Sequence, residues 1–372
     1  MLRRGVFSAH GLQSTGAVVA SASKVRVISS LPSEVIPGAD IIMLAVPAYA
    51  HAALLTDIGP YLKNDVLVGS LPTRSGFEFE ATSILSKFRP HGARTFFGLQ
   101  TLPWSTRVQE PGRIVNFGAV KAAVLMAALP GAHATSIAHW LSQLIGTHIR
   151  PTQNFLNMTL GNPGQVVHPG LMYGFFGTWS GSAYSEDTIP RFYADASDGI
   201  GAFVEHLSDE IVAVAQEVQG KSGGALDLSG VLPIHEWLRI SYPTQTEDTT
   251  SVATCFRTGP LQVRKAPMCE LSPRAFVPDF AYRYLGEDVP FGLVVTKAIA
   301  QLADVATPAI DAVILWAQDK LGKTYLVDGN LDGPDAQILP LPQNHGVATL
   351  AQLVSWYSAV DLAIGITAGI SR

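Results

Sequence analysis

Ala39-Asp40-Ile41-Ile42-Met43-Leu44-Ala45-Val46-Pro47 is an almost unbroken apolar run closed by a proline, and Val66-Leu67-Val68-Gly69-Ser70-Leu71-Pro72 repeats the pattern. Apolar runs of this length predict strands buried on both faces of a parallel sheet. Between them, residues 50–62 carry apolar side chains at helical spacing, so the unit reads strand, helix, strand. Residues 95–99, 113–117 and 121–129 extend the alternation and 134–144 predict another helix. Together they form the second half of a doubly wound, Rossmann-like domain. After Arg150-Pro151 the pattern changes to helices over 154–160, 166–176, 198–219, 293–304 and 308–321, the last with Thr307 as its expected N-cap. The fold class is therefore α/β: a partial parallel-sheet domain over residues 1–153, followed by an all-α helical domain over 154–372.

The composition supports two sizeable cores, with 372 residues of which 47% are hydrophobic and 15% charged. A net charge of −5, with lysine and arginine scattered singly, gives no footprint for nucleic acid. The two cysteines, Cys255 and Cys269, form no C-x-x-C pair, which fits a reducing, cytoplasmic compartment. Arg3-Arg4 lacks the apolar run of a secretory signal. The apolar tail over 353–370 carries Asp361 and reads as a buried helix, not a membrane anchor. Ten histidines occur without H-E-x-x-H or related spacing, so no metal site is expected.

Among chemistry-bearing residues, His168-Pro169 and Val277-Pro278-Asp279-Phe280 stand out. Imidazole can give and take a proton near neutrality, and a carboxylate on its far nitrogen fixes the tautomer. A His168–Asp279 pair would form such a device; each residue alone could equally be structural, a core histidine or a turn aspartate. Arg74 follows a buried strand, on the edge where doubly wound sheets bind ligands, and its guanidinium suits a carboxylate.

Several blocks in order resemble the octopine (opine) dehydrogenase family. They are the stretch ending Val46-Pro47-Ala48-Tyr49-Ala50-His51, then Leu71-Pro72-Thr73-Arg74-Ser75-Gly76, Thr101-Leu102-Pro103-Trp104, His168-Pro169, Pro278-Asp279-Phe280, Trp316-Ala317-Gln318 and Tyr325-Leu326-Val327-Asp328-Gly329. The resemblance implies reductive condensation of an amino acid with a 2-keto acid such as pyruvate, using NADH or NADPH, the helical domain carrying the substrates. It implies His168 as acid and base with Asp279 as its partner, and Arg274 as a ligand of the keto-acid carboxylate. Thr101, Trp104 and Trp237 are implied to line the amino-acid pocket, and Val46, Pro47 and Ala48 to lie against the nicotinamide. Gln100 stands where the arginine-using member has a glutamate, which implies a preference for an uncharged amino acid.

The family's opening strand and glycine-rich turn have no counterpart here. Gly5, Gly11 and Gly16 have the wrong spacing, Val6-Phe7 is too short for the first buried strand, and the matching block begins near Lys24-Val25-Arg26-Val27-Ile28. The expectation is a chain lacking the first strand, first helix and second strand, through a truncated gene model. Cofactor binding by the chain itself is then in doubt. Two alternatives remain at this stage: a catalytically inactive member acting as a binding protein, and a 2-hydroxyacid or ketopantoate-type dehydrogenase.

Overall fold

The computed structural model describes residues 7–11, 18–22, 27–88, 94–111 and 113–368. Its central sheet contains β3 (Ile41–Leu44), β4 (Leu67–Ser70), β5 (Thr95–Leu99), β8 (Ala123–Leu129) and β9 (His148–Thr152), in that spatial order. β3, β4 and β5 are mutually parallel, β8 joins antiparallel to β5, and β9 runs parallel to β8. The helices His51–Ile58 and Ala134–Ile145 fall where the apolar spacing predicts them, and the loop after β4 leads into Phe77–Leu85.

The expectation of two-sided burial fails at β3. Ile42 and Leu44 are buried, but Met43 between them is 43% exposed. β3 is an edge strand, and among the described residues nothing pairs with its outer side. Of the stretch over 24–28 where the family match begins, residues 24–26 lie outside the described residues, while Val27 and Ile28 are exposed and carry no strand. The segment over 113–117 does form a strand, β7 (Ile114–Gly118), but in a second sheet. There β1 (Phe7–Gly11) and β2 (Val18–Ala22) join β7 and β6 (Ser105–Glu110) in the order β2-β1-β7-β6. β6 and β7 have no buried residue, so this sheet adds little to the core.

The helical part begins with Leu156–Gly161, just beyond the end of β9 at Thr152. It continues through Gly164–Phe176, Asp198–Lys221, Val294–Ala303 and Pro308–Leu321. A hairpin of β10 (Met268–Ser272) and β11 (Ala275–Pro278) interrupts the helices. Thr307 does not act as the expected side-chain cap. The Glu210 carboxylate instead accepts from the N–H groups of Ala309 and Ile310, at 2.8 and 2.9 Å, placing an anion at the positive end of that helix. Among the described residues no helix is long and apolar enough to cross a membrane.

The C-terminal helix Leu350–Ala368 packs back onto the sheet domain where Trp356 and buried Tyr357 meet the Phe79 ring. The Tyr357 hydroxyl donates to Glu78 at 2.8 Å, and the Thr159 hydroxyl donates to the same carboxylate at 2.7 Å. Glu78 is fully buried, and that burial pushes its pKa up to about 7. The folded state therefore holds a proton that the unfolded chain releases near 4.5, so stability falls as pH rises from about 4.5 to about 7. Glu78→Gln keeps an acceptor for Tyr357 and removes the titration. Glu80, also raised to about 7 by burial, titrates over the same interval, so urea melts of this variant should lose part of that slope, a difference of a few kcal/mol by pH 8. An unchanged slope would assign the pH dependence to another group.

Candidate active site

The site forms where the loop after β4 meets the start of the helix Gly164–Phe176. A Cβ on Gly164 would lie 2.6 Å from Arg74 Nη1 and 3.0 Å from both Asn162 Oδ1 and Asp288 Oδ1, so glycine lets the charged groups close in beneath the helix start. Asn162 fastens the loop to the helix: its Nδ2 donates to the Thr73 carbonyl at 2.8 Å, and its Oδ1 accepts from Gly164 N at 2.8 Å. One turn into this helix stands His168, followed by Pro169, which withholds a helical hydrogen bond.

His168 Nδ1 lies 2.7 Å from Asp288 Oδ2, and the carboxylate is completely buried. Ionised Asp288 can only accept, so Nδ1 carries the proton and Nε2 is left to exchange one. The Tyr284 ring stacks on the imidazole with centroids 3.8 Å apart and planes at 15°. Burial lowers the His168 pKa, while the Asp288 charge opposes that shift. For Asp288, burial acts upward, but Arg74 and then His168 hold the carboxyl below its ordinary value.

Arg74 is buried between two acids, its Nη1 paired with Asp288 and its Nε 3.3 Å from Glu287 Oε1. Glu287 also accepts from Ala48 N at 2.9 Å and sits 3.3 Å from Arg283 Nε through its other oxygen. A single run, Arg283 to Asp288, thus ties the carboxyl ends of β3 and β4 to His168. His51 lies close by, buried against Phe77 with its Nε2 3.4 Å from Ser70 Oγ. Burial lowers its pKa to about 4, so it remains neutral.

The structure corrects three site expectations. The partner of His168 is Asp288 and not Asp279. Asp279 follows β11, where its N–H bonds the Pro267 carbonyl, and it lies with Lys265 and Met268 in a recess that shares Arg107, Arg264, Tyr282 and Tyr284 with the cavity beside His168. Arg274 is exposed on the β10–β11 turn at φ 62°, with its backbone N bonded to Glu270, and does not reach the cavity. Arg283 lines the cavity instead. The spacing Arg-x4-Asp occurs at both 274/279 and 283/288, and packing brings the second pair to His168. Gln100 is also turned away: its Nε2 donates to Gly161 O at 2.7 Å and its Oε1 accepts from Trp237 Nε1 at 3.0 Å. It therefore fixes the orientation of Trp237.

A cavity of about 220 Å³ opens beside His168 and Arg74. Thr101, Trp104 and Trp237 line it, as does Lys121, which the sequence reading passed over. Among the described residues no group of three or more His, Cys, Asp or Glu could hold a metal. For a nicotinamide cofactor the fit is partial. Ala45 is exposed and Val46 and Pro47 are half-buried, leaving the carboxyl end of β3 accessible to a nicotinamide ring. Among the described residues nothing matches the pyrophosphate end: the helix after β3 opens on Ala48-Tyr49-Ala50 without a glycine, and the 372 residues contain no G-x-G-x-x-G.

Residues 151–321 match the profile of the NAD/NADP octopine/nopaline dehydrogenase alpha-helical domain. An opine dehydrogenase from Haliotis discus hannai is 35% identical over 337 residues, which is 89% of this chain and 82% of that protein. A tauropine dehydrogenase from Arabella iricolor is 32% identical, covering 89% and 84%. The solved structure of octopine dehydrogenase with NADH and L-arginine superposes with a TM-score of 0.83 at 30% identity, over 95% of this chain and 87% of that one. Identity at this level over most of both chains, together with the shared fold, makes this protein a member of the opine dehydrogenase family.

Proposed function

We propose that the chain is an opine dehydrogenase-type oxidoreductase that joins the amino group of a non-cationic amino acid to a 2-keto acid such as pyruvate and reduces the resulting imine. The observation that carries this reading is the His168–Asp288 pair on the wall of the cavity, with Arg283 beside it. A nicotinamide cofactor, when bound, supplies the hydride. His168 Nε2 takes a proton from the entering ammonium, so that a free amine attacks the carbonyl. It then returns the proton to the carbinolamine oxygen, which leaves as water. Asp288 stabilises the charged imidazole between the two transfers. Arg283 offers its fork to the keto-acid carboxylate, and Arg74, already committed to Glu287 and Asp288, holds the frame. Two cysteines that form no disulfide fit a cytoplasmic setting.

The test is product formation followed by mass spectrometry, with pyruvate, NADH and single amino acids. Condensed product should require both pyruvate and the amine, and arginine should be the poorer substrate, since no carboxylate lines the cavity among the described residues to meet a guanidinium. Pyruvate reduction without amine would overturn the assignment. Arg283→Ala should raise the KM for pyruvate about tenfold or more and leave that for the amine within about threefold, the size expected for a lost charge-assisted pair.

A competing reading is a family member that binds substrates without turnover, and cofactor affinity separates the two. Residues 1–372 should bind NADH no tighter than about millimolar by calorimetry, because backbone donors for the pyrophosphate are lacking. Fusing a strand and glycine-rich turn ahead of residue 27 should bring affinity into the micromolar range. Micromolar binding without the fusion would mean that another segment replaces the turn.

A further inference from the structure

The cavity beside His168 is lined by four arginines, Arg74, Arg107, Arg264 and Arg283, and by Lys121, with no aspartate or glutamate among its described lining residues. Arg74 and Arg283 are paired with Glu287 or Asp288. Among the described residues no ion pair joins Arg107, Lys121 or Arg264 to a carboxylate, and Asp279 shares only the adjoining recess with Arg107 and Arg264.

Lys121 is the most telling of the three. It is 7% exposed, its Nζ donates to the Leu102 carbonyl at 2.8 Å, and it lies 5.9 and 5.4 Å from the ring centroids of Trp237 and Tyr242. Gln100 holds Trp237 in that position through the indole N–H. Burial, and after it the charge of Arg264, lowers the Lys121 pKa to about 8. Both side chains line the same cavity as Trp237 and Tyr242, and a bound anion would restore the charge on the Lys121 ammonium that burial disfavours. A keto acid and an amino acid bring one carboxylate each, and Arg283 beside His168 serves the first. The unpartnered cations exceed what the second carboxylate requires.

We infer that Lys121 and Arg264 form an anion subsite for the side chain of the amine substrate, so that the preferred amine is an amino acid with an acidic side chain, a carboxylate or a sulfonate. The inference rests on the dehydrogenase reading above and deepens it. Lys121 and Arg264 are specificity-determining residues, and an amino acid with a cationic side chain is repelled there.

The test compares near-isosteric pairs on the full chain by calorimetry in the presence of pyruvate: L-glutamate against L-glutamine and L-aspartate against L-asparagine, with L-cysteate as the sulfonate and L-arginine as the cation. At least one acid should bind about tenfold or more tighter than its amide, the scale of one charge-assisted hydrogen bond, and arginine should bind weakest. Lys121→Met, which keeps the stem on the two rings, and Arg264→Gln should each bring the acid-to-amide ratio close to one while pyruvate affinity stays within about twofold. Lys121→Arg should retain the preference, which keeps the test decisive if the methionine variant folds poorly. Equal affinities for acid and amide, no detectable binding of either acid, or a preference that survives both charge removals would overturn the subsite. Binding is read without turnover, so the two readings can fail separately. Glutamate that binds tightly yet never condenses with pyruvate leaves the subsite and removes the enzyme, whereas turnover favouring arginine does the reverse.

Discussion

Replacing His168 by alanine lowers turnover about a hundredfold or more, the usual scale for losing a positioned acid or base, with much smaller changes in KM for either substrate. Product formation at millimolar NADH measures this, so weak cofactor binding does not hide it. Asp288→Asn should come close to the same loss. Its amide can present a donor to Nδ1 and so favour the wrong tautomer, and it no longer stabilises the imidazolium. Asp279→Asn is the control, since the imidazole is bonded to Asp288 and Asp279 does not line the cavity that His168 faces; turnover should stay within about twofold. A large loss in Asp279→Asn with a small one in Asp288→Asn would overturn the pairing. The His168 titration gives a second readout. Asp288 opposes the downward effect of burial on His168, so Asp288→Asn should lower the imidazole pKa further.

The histidine was legible in the sequence and its partner was not, and the reason is physical. Both Asp279 and Asp288 lie five residues after an arginine, in one polar stretch between a hairpin and a helix. Local pattern favours Asp279 after Pro278. What selects Asp288 is burial beside Arg74, made possible by the absent Cβ of Gly164, some 120 positions away. Arg74 itself was recognisable as an arginine at the ligand-binding edge of the sheet, but its commitment to Glu287 and Asp288 depends on the packing of two domains. Strands β3, β4 and β5 were readable because their apolar runs are a local property. The second sheet was only partly readable, since β6 carries Arg107 and Glu110 and buries nothing. Lys121 escaped notice because an isolated lysine reads as surface until its burial against Trp237 and Tyr242 is seen.

Arg74→Met should destabilise the fold by about 3–5 kcal/mol at pH 7, the range for breaking a buried pair by removing one partner. Methionine fills much of the space, so the loss is chiefly electrostatic: Asp288 is fully buried and Glu287 nearly so, and both lose a countercharge together. The pH dependence separates this from simple loss of packing. In the native protein Arg74 helps to hold the Asp288 pKa below 3.8, so its contribution is present above that value and is lost as pH falls through the lowered pKa. Without Arg74, burial acts with less opposition and raises the folded pKa of Asp288. A raised carboxyl pKa reverses the sign, and the variant's stability should fall as pH rises above 3.8. The deficit measured by urea melts should therefore be greatest near neutrality and shrink toward pH 4. A deficit of constant size across that interval would mean that Arg74 supports the fold by packing alone, and that the buried acids find their countercharge elsewhere.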